Sequence, residues 1–233
     1  MMTALKLILD CETLPTGNPG AIIRIAQSLK PPGSMKKPET IAAWIENERP
    51  AALAKALADT AFDGTYGRLA CIGWAVDDEE PNAYLSRYAE DDTEDEEDLL
   101  ACFFKDVEIS RKSGQRVVVV GHNIANFDIP FITKRAVVNG VRIPSWWPWR
   151  AKPWDDAIFD TMTAWAGARD HIGLDRLCAA LGLPGKTGVD GSMVAGMWEA
   201  GKYADVGSYC ADDVERVRRV AKRLWASLGE PAS

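Results

Sequence analysis

The chain has 233 residues, of which 47% are hydrophobic and 26% charged, the make-up of a soluble globular protein with a real core. Its five cysteines (11, 71, 102, 178 and 210) are odd in number and form no CxxC pair, which argues against a disulfide framework or a structural zinc and for small buried hydrophobes in a reducing compartment. The net charge of -7 is unevenly placed: residues 77–98 hold twelve acids against Arg87 alone, so the rest of the chain is mildly basic and a nucleic-acid partner is not excluded.

The opening MMTALKLILDCE has no basic stretch and no small-residue cleavage site, and no apolar run is long enough to span a membrane, so the expected setting is the cytoplasm, without a membrane partner. Leu5 to about Glu12 reads as a central strand, continuously apolar until it ends in acids. Residues 15–50 are broken by prolines and glycines, with short helical stretches near Ala21–Leu29 and Ile41–Glu48. The span 28–65 is taken as a loop or insertion. RLACIGWAV (68–76), the turn DDEEPN and AYLSR read as a hairpin.

The acidic run is a solvated turn and helix start, with Thr93-x-x-Glu96 resembling a capping box. It lacks the glycine and ligand spacing of an EF-hand. A helix at about 94–111 places Leu99, Leu100, Phe103, Phe104 and Val107 on one face. RVVVVG (116–121) is a second buried strand, and Asp128 to Val138 a helix with Pro130 in its first turn and Gly140 beyond its end. A tryptophan- and proline-rich loop, 141–156, leads to a short strand near Ala157–Asp160 and a helix at about 173–182. The glycine-rich PGKTGVDGSMVAGMW follows. Its GKT lacks the GxxxxGK[ST] spacing of a phosphate-binding loop. The last helix, about 205–227, has Cys210, Val214, Val217, Ala221 and Leu224 as its core stripe.

This order gives one α/β domain, residues 1–233, with a mixed five-stranded sheet: an antiparallel hairpin joined to parallel strands, with helices on both faces. Ligands in such sheets gather at the carboxyl ends of the parallel strands. Asp10 and Glu12 lie at one such end and the phrase HNIANFD at another. Side chains two apart on a strand share a face, so Asp10 and Glu12 can serve one ion. Tyr209 and Asp213, four apart on a helix, also share a face, at the rim of the buried stripe, whereas Asp212 points elsewhere, toward solvent. Carboxylates gathered from distant segments repel one another and imply a cation. Magnesium, which prefers oxygen ligands, suits Asp10, Glu12, Asp128 and Asp213.

Each element alone has a plainer reading: a strand-to-loop transition for DCE, a helix cap for Asp128, a common helical spacing for YxxxD. Their conjunction, in this order and on these elements, is much rarer. DCE, GHNIANFD and YCADD resemble the three motifs of the DEDD superfamily of 3′→5′ exonucleases, which have an RNase H-like fold. Tyr209 resembles the tyrosine of the DEDDy branch; Ser208 stands where the DEDDh branch has a histidine. The phrases GHNIANFDIPFITKRA, LGLPGKTGVDG and YCADDVERV are similar to stand-alone exonucleases related to the proofreading domain of family B DNA polymerases.

The resemblance implies a two-ion mechanism with Mg2+ or Mn2+. Asp10, Glu12 and Asp213 would bind the ion carrying the attacking water, Asp10 would bridge to the second ion, and Asp128 would support that second ion through water. Tyr209 would orient or help deprotonate the attacking water. Thr13, Leu14, Asn123 and Phe127 match positions that contact the terminal nucleotide. The implied product is a 5′-mononucleotide released from a 3′ end, of DNA in the first place and single-stranded DNA in particular. An exoribonuclease of the same superfamily and a silent nucleic-acid-binding module are the alternatives. The sequence encodes no polymerase domain, so a replication or repair partner would be a separate chain. His122 is expected to make a strand-end hydrogen bond, His171 to have a cap or surface role, and Asp160 to cap the helix that follows it. Trp146, Trp147, Trp149 and Trp154, with Arg150 and Lys152, either stack single-stranded bases or pack the loop onto the domain.

Overall fold

A computed structural model describes residues 3–87, 95–167, 169–186, 188 and 191–230. In chain order its elements are β1 (Leu5–Leu14), α1 (Pro19–Ser28), α2 (Pro38–Asn47), α3 (Arg49–Ala58), β2 (Arg68–Val76), β3 (Asn82–Leu85), α4 (Glu96–Ser110), β4 (Val117–Gly121) and α5 (Asp128–Val138). They continue with β5 (Ile158–Asp160), α6 (Thr161–Ala166), α7 (Leu174–Ala180), α8 (Val194–Glu199) and α9 (Tyr203–Leu228), with 3₁₀ turns at Asp59–Phe62 and Gly191–Met193.

The sheet has the order β3-β2-β1-β4-β5. β1 pairs antiparallel with β2 and parallel with β4; β3 is antiparallel to β2, and β5 is parallel to β4. β1 is thus central, which accounts for its unbroken apolar start: Leu5, Leu7, Ile8 and Leu9 are all buried. Its odd-numbered residues Leu7, Leu9 and Cys11 join the core under α4, α5 and Trp147. The even-numbered Ile8 and Leu14 face α9. Helices therefore cover both faces, with α6, α7 and α8 packed along α9. The chain has an RNase H-like α/β fold.

The segment 28–65, expected as a loop or insertion with one short helical stretch near Ile41–Glu48, is largely helical: that stretch is α2, and α3 was not expected. Pro38 and Pro50 fall in the first turns of α2 and α3, where a missing N–H costs nothing, so these prolines start helices rather than break them. α6 was anticipated only through its cap, Asp160, and α8 not at all, because neither six-residue helix is long enough to show a helical period. The capping box read at Thr93 lies outside the described residues. Within them, Asp95 caps α4 by accepting from Asp98 N at 2.7 Å. Glu96 is turned to another use: it accepts from Leu69 N at 2.7 Å and from Arg135 Nη2 at 2.6 Å, a half-buried ion pair joining α4, β2 and α5.

The tryptophan loop bears out the packing reading at two of its four tryptophans. Trp146 and Trp147 pack edge-on against Phe104. Trp149 and Trp154 are exposed, with Arg150 and Lys152 over their rings. All five cysteines are free, and all but the half-buried Cys102 are buried. Among the described residues, no helix is long and apolar enough to cross a membrane.

Candidate metal centre

Asp10 and Glu12 project from β1 toward α9. The approach of α9 depends on Gly73, which pairs with Asp10 across the β1–β2 ladder. A Cβ at Gly73 would lie 2.8 Å from Cys210 Sγ and 3.0 Å from the Cys210 carbonyl oxygen. With no side chain there, the Tyr209–Asp213 turn of α9 reaches the carboxylates of β1. The ladder shifts register between Glu12 and Thr13, a bulge that redirects the strand immediately after the second acid. Carboxylate oxygens of Asp10, Glu12 and Asp213 all come within 4.8 Å of one another.

Asp128 approaches from the other side. It is the first residue of α5 and is buried, and its Oδ1 accepts from Cys11 N at 3.0 Å. That bond ties the start of α5 to β1 between Asp10 and Glu12. Asp128 stands outside the tight group of three, but its charge is the largest of those acting on Asp10.

The electrostatics are those of crowded negative charge, offset in part by Arg216 and Lys186. Burial, then the charges of Asp128, Glu12 and Asp213, hold the Asp10 carboxyl well above the usual range. Asp10 and Glu12 keep some surface, yet both are set deep among protein atoms. Glu12 is pushed up to about 8 by burial and then by Asp213 and Asp128, with Lys186 and Arg216 pulling the other way. Burial raises Asp128 to about 7. Asp213 is also raised by burial, against the opposing charges of Arg216 and Lys186. Arg216 forms an ion pair with Asp213 Oδ1, but no well-directed hydrogen bond reaches that buried oxygen. An oxygen-only donor set of mutually repelling carboxylates fits a hard divalent cation such as Mg2+ or Mn2+.

Tyr209 lies one turn before Asp213 on the same helix, α9. Lys186 Nζ donates to the Tyr209 hydroxyl at 2.6 Å. The phenol is pushed above its ordinary value by burial, then by Asp213 and Glu12, and so remains protonated near neutral pH. Lys186 is the functional residue that sequence reasoning missed. It lies in the GKT phrase, 23 residues before Tyr209, and only the tertiary fold joins them. Asp175 Oδ1 fixes the lysine's main chain by accepting from Lys186 N at 2.7 Å.

The proposed substrate contacts are placed unequally. The Thr13 hydroxyl donates to Ala61 O at 2.7 Å, so it fastens the 3₁₀ turn before β2. The Leu14 side chain is enclosed in the core with Tyr209 and Trp198, and any contact from this position comes from its main chain. Asn123 has a left-handed backbone with φ 61°, which asparagine tolerates, and its Oδ1 accepts from Asn126 Nδ2 at 3.1 Å. Phe127 is half-buried, its ring centroid 5.7 Å from that of Phe131. Asp160 caps α6 as expected, accepting from Met162 N at 3.0 Å; it also accepts from Asn123 N at 3.0 Å and so braces the turn ahead of Asp128. His122 makes its strand-end bonds, to Ile172 O at 2.8 Å and Thr161 Oγ1 at 3.0 Å.

A sheet of this order, with acids converging from β1, the start of α5 and α9, defines the RNase H-like class of proteins. Residues 63–217 match the family described as predicted 3′-5′ exonucleases related to the exonuclease domain of PolB, and the chain belongs to that family. The matched span contains Asp128, Lys186, Tyr209 and Asp213, while Asp10 and Glu12 precede it. The family B DNA polymerase of the hyperthermophilic archaeon Pyrobaculum calidifontis shares the fold, with a TM-score of 0.58 and 15% identity over 96% of this chain. The chain spans 25% of the length of that polymerase. No curated protein matches the sequence.

Proposed function

We propose that this protein is a 3′→5′ exonuclease that releases 5′-mononucleotides from the 3′ end of DNA, preferentially single-stranded, with two Mg2+ or Mn2+ ions. The observation that carries this reading is the convergence of Asp10, Glu12 and Asp213 within 4.8 Å. Asp128 completes the set from the far side of β1. Asp10, Glu12 and Asp213 would hold one ion, and Asp10 with Asp128 the other. Bound ions would supply an activated water and neutralise charge on the scissile phosphate and its leaving oxygen.

The remaining work falls to the chain's own groups. The Tyr209 hydroxyl accepts from Lys186, which would direct it beside the carboxylates. There it would orient the attacking water or help deprotonate it. The Lys186 side chain lies next to the acids, where an anionic phosphate must approach. Thr13, Asn123 and Phe127, each close in sequence to a carboxylate, would position the terminal nucleotide. A cytoplasmic setting accords with five free cysteines.

The test is a timed digest of end-labelled single-stranded DNA, duplex DNA and RNA. Progressive loss from the 3′ end of single-stranded DNA is expected. Degradation of RNA alone would move the assignment to an exoribonuclease, and binding without cleavage to a silent module.

A further inference from the structure

The stretch between α3 and β2 has no role legible in the sequence, yet it bridges the two elements that carry Glu12 and Asp128. On one side its 3₁₀ turn is fastened to the end of β1. Thr13 Oγ1 donates to Ala61 O at 2.7 Å, and Thr16 N donates to Thr60 Oγ1 at 2.8 Å. On the other side it is fastened to α5. Arg135 Nη1 donates to Gly64 O at 3.2 Å, and Lys134 pairs with Asp63. A Cβ at Gly67 would lie 3.0 Å from Phe131 Cζ, and Phe131 in turn packs on Phe127, the residue before Asp128.

Held in this bridge, Phe62 is 73% exposed and Tyr66, four residues on, 41%. Single exposed aromatics are common on protein surfaces and need no explanation. What distinguishes this one is its fixed mounting, one residue from the carbonyl that holds Thr13, beside Glu12. The nearby acids do not leave bare negative charge, because Asp59 pairs with Lys55 at 2.5 Å and Asp63 with Lys134. A polyanionic strand can therefore pass over the turn, and an aromatic ring offers any base a stacking face.

We propose that Phe62, assisted by Tyr66, is a nucleobase-stacking subsite for the strand whose 3′ end enters the carboxylate centre. This rests on the exonuclease reading above. Stacking on a ring is indifferent to base identity, so the subsite confers grip without sequence preference.

The experiment compares wild type, Phe62→Ala and Phe62→Trp after their thermal melts have been matched. Binding of a fluorescein-labelled single-stranded oligonucleotide is read by anisotropy with Ca2+ in place of Mg2+, and kcat and KM are measured on the same oligonucleotide with Mg2+. Phe62→Ala is expected to raise both Kd and KM about tenfold, the scale of one lost stacking contact, while kcat falls less than twofold. Phe62→Trp restores tight binding. An abasic site at the contacted position removes the difference between wild type and Phe62→Ala. Unaltered Kd and KM in Phe62→Ala, with wild type active, overturn the subsite and leave the exonuclease standing. An inactive wild type overturns the exonuclease instead, and the anisotropy comparison then still decides whether Phe62 contacts the strand.

Discussion

Lys186 Nζ and the Tyr209 hydroxyl are 2.6 Å apart, joining the glycine-rich turn before α8 to the turn of α9 that carries Asp213. The bond gives the tyrosine one orientation beside Asp213. It also ties the two residues into a unit, so their losses should not add. Tyr209→Phe is expected to lower the single-turnover rate about tenfold to a hundredfold, on the scale of general acid–base contributions, with substrate binding little altered. Lys186→Met should lower it similarly, and the double variant should be hardly slower than either single one. Fully additive losses would show that lysine and tyrosine act separately.

The raised carboxylates make a pH prediction for the metal-free protein. Glu12 is raised from 4.5 to about 8 and Asp128 from 3.8 to about 7. Between these limits the folded chain holds protons that the unfolded chain has released, so its stability falls as pH rises across the window. His122, lowered by burial, works in the opposite sense near its ordinary 6.5, so a variant comparison is needed to isolate the carboxylate. In chelator, Glu12→Gln should melt higher than wild type at pH 8 by several degrees, at about 2–4 °C per kcal/mol for a chain of this size. The gap should close toward pH 5, and Mg2+ should narrow it at pH 8 by stabilising the wild type alone. A gap independent of pH would contradict the charge state assigned to Glu12.

Gly73 offers a test of how the site is built. Gly73→Ala places a methyl group 2.8 Å from Cys210 Sγ and 3.0 Å from its carbonyl oxygen, which lifts α9 off β2 at the level of Asp10. The expected cost is about 1–3 kcal/mol in denaturant unfolding, as for other overpacked cores. Activity measured where the variant is fully folded should fall further than this, because Asp213 and Tyr209 move with the helix. A folded variant with wild-type turnover would mean that the close approach of α9 is not needed.

The site was legible in the sequence to the extent that it obeys local periodicity. Asp10 and Glu12 share a face because a strand repeats every two residues, and Tyr209 and Asp213 because a helix repeats every 3.6. The buried strands β1, β2 and β4 were visible as apolar runs for the same reason. The role of Lys186 was not legible: its phrase, LGLPGKTGVDG, resembles the family, but its partner is 23 residues away and no local pattern joins them. The Asp160 contacts with Asn123 and Ala125 likewise span 37 and 35 residues, and no pattern within β5 announces them. Of the helices in 28–65, α2 was legible near Ile41–Glu48, whereas α3 was hidden by Pro50, whose placing at a helix start is a matter of a single residue.

The central claim is that these carboxylates bind divalent ions to cut from the 3′ end, and a 5′-labelled single-stranded DNA followed in time tests it most directly. The digest is run with wild type and Asp10→Ala, in chelator and after Mg2+ or Mn2+ is restored. Wild type with metal should yield a ladder of steadily shorter labelled strands, and neither the chelated enzyme nor folded Asp10→Ala should yield any. Cleavage that persists in chelator or in Asp10→Ala, or immediate release of the labelled 5′ nucleotide, would contradict the account.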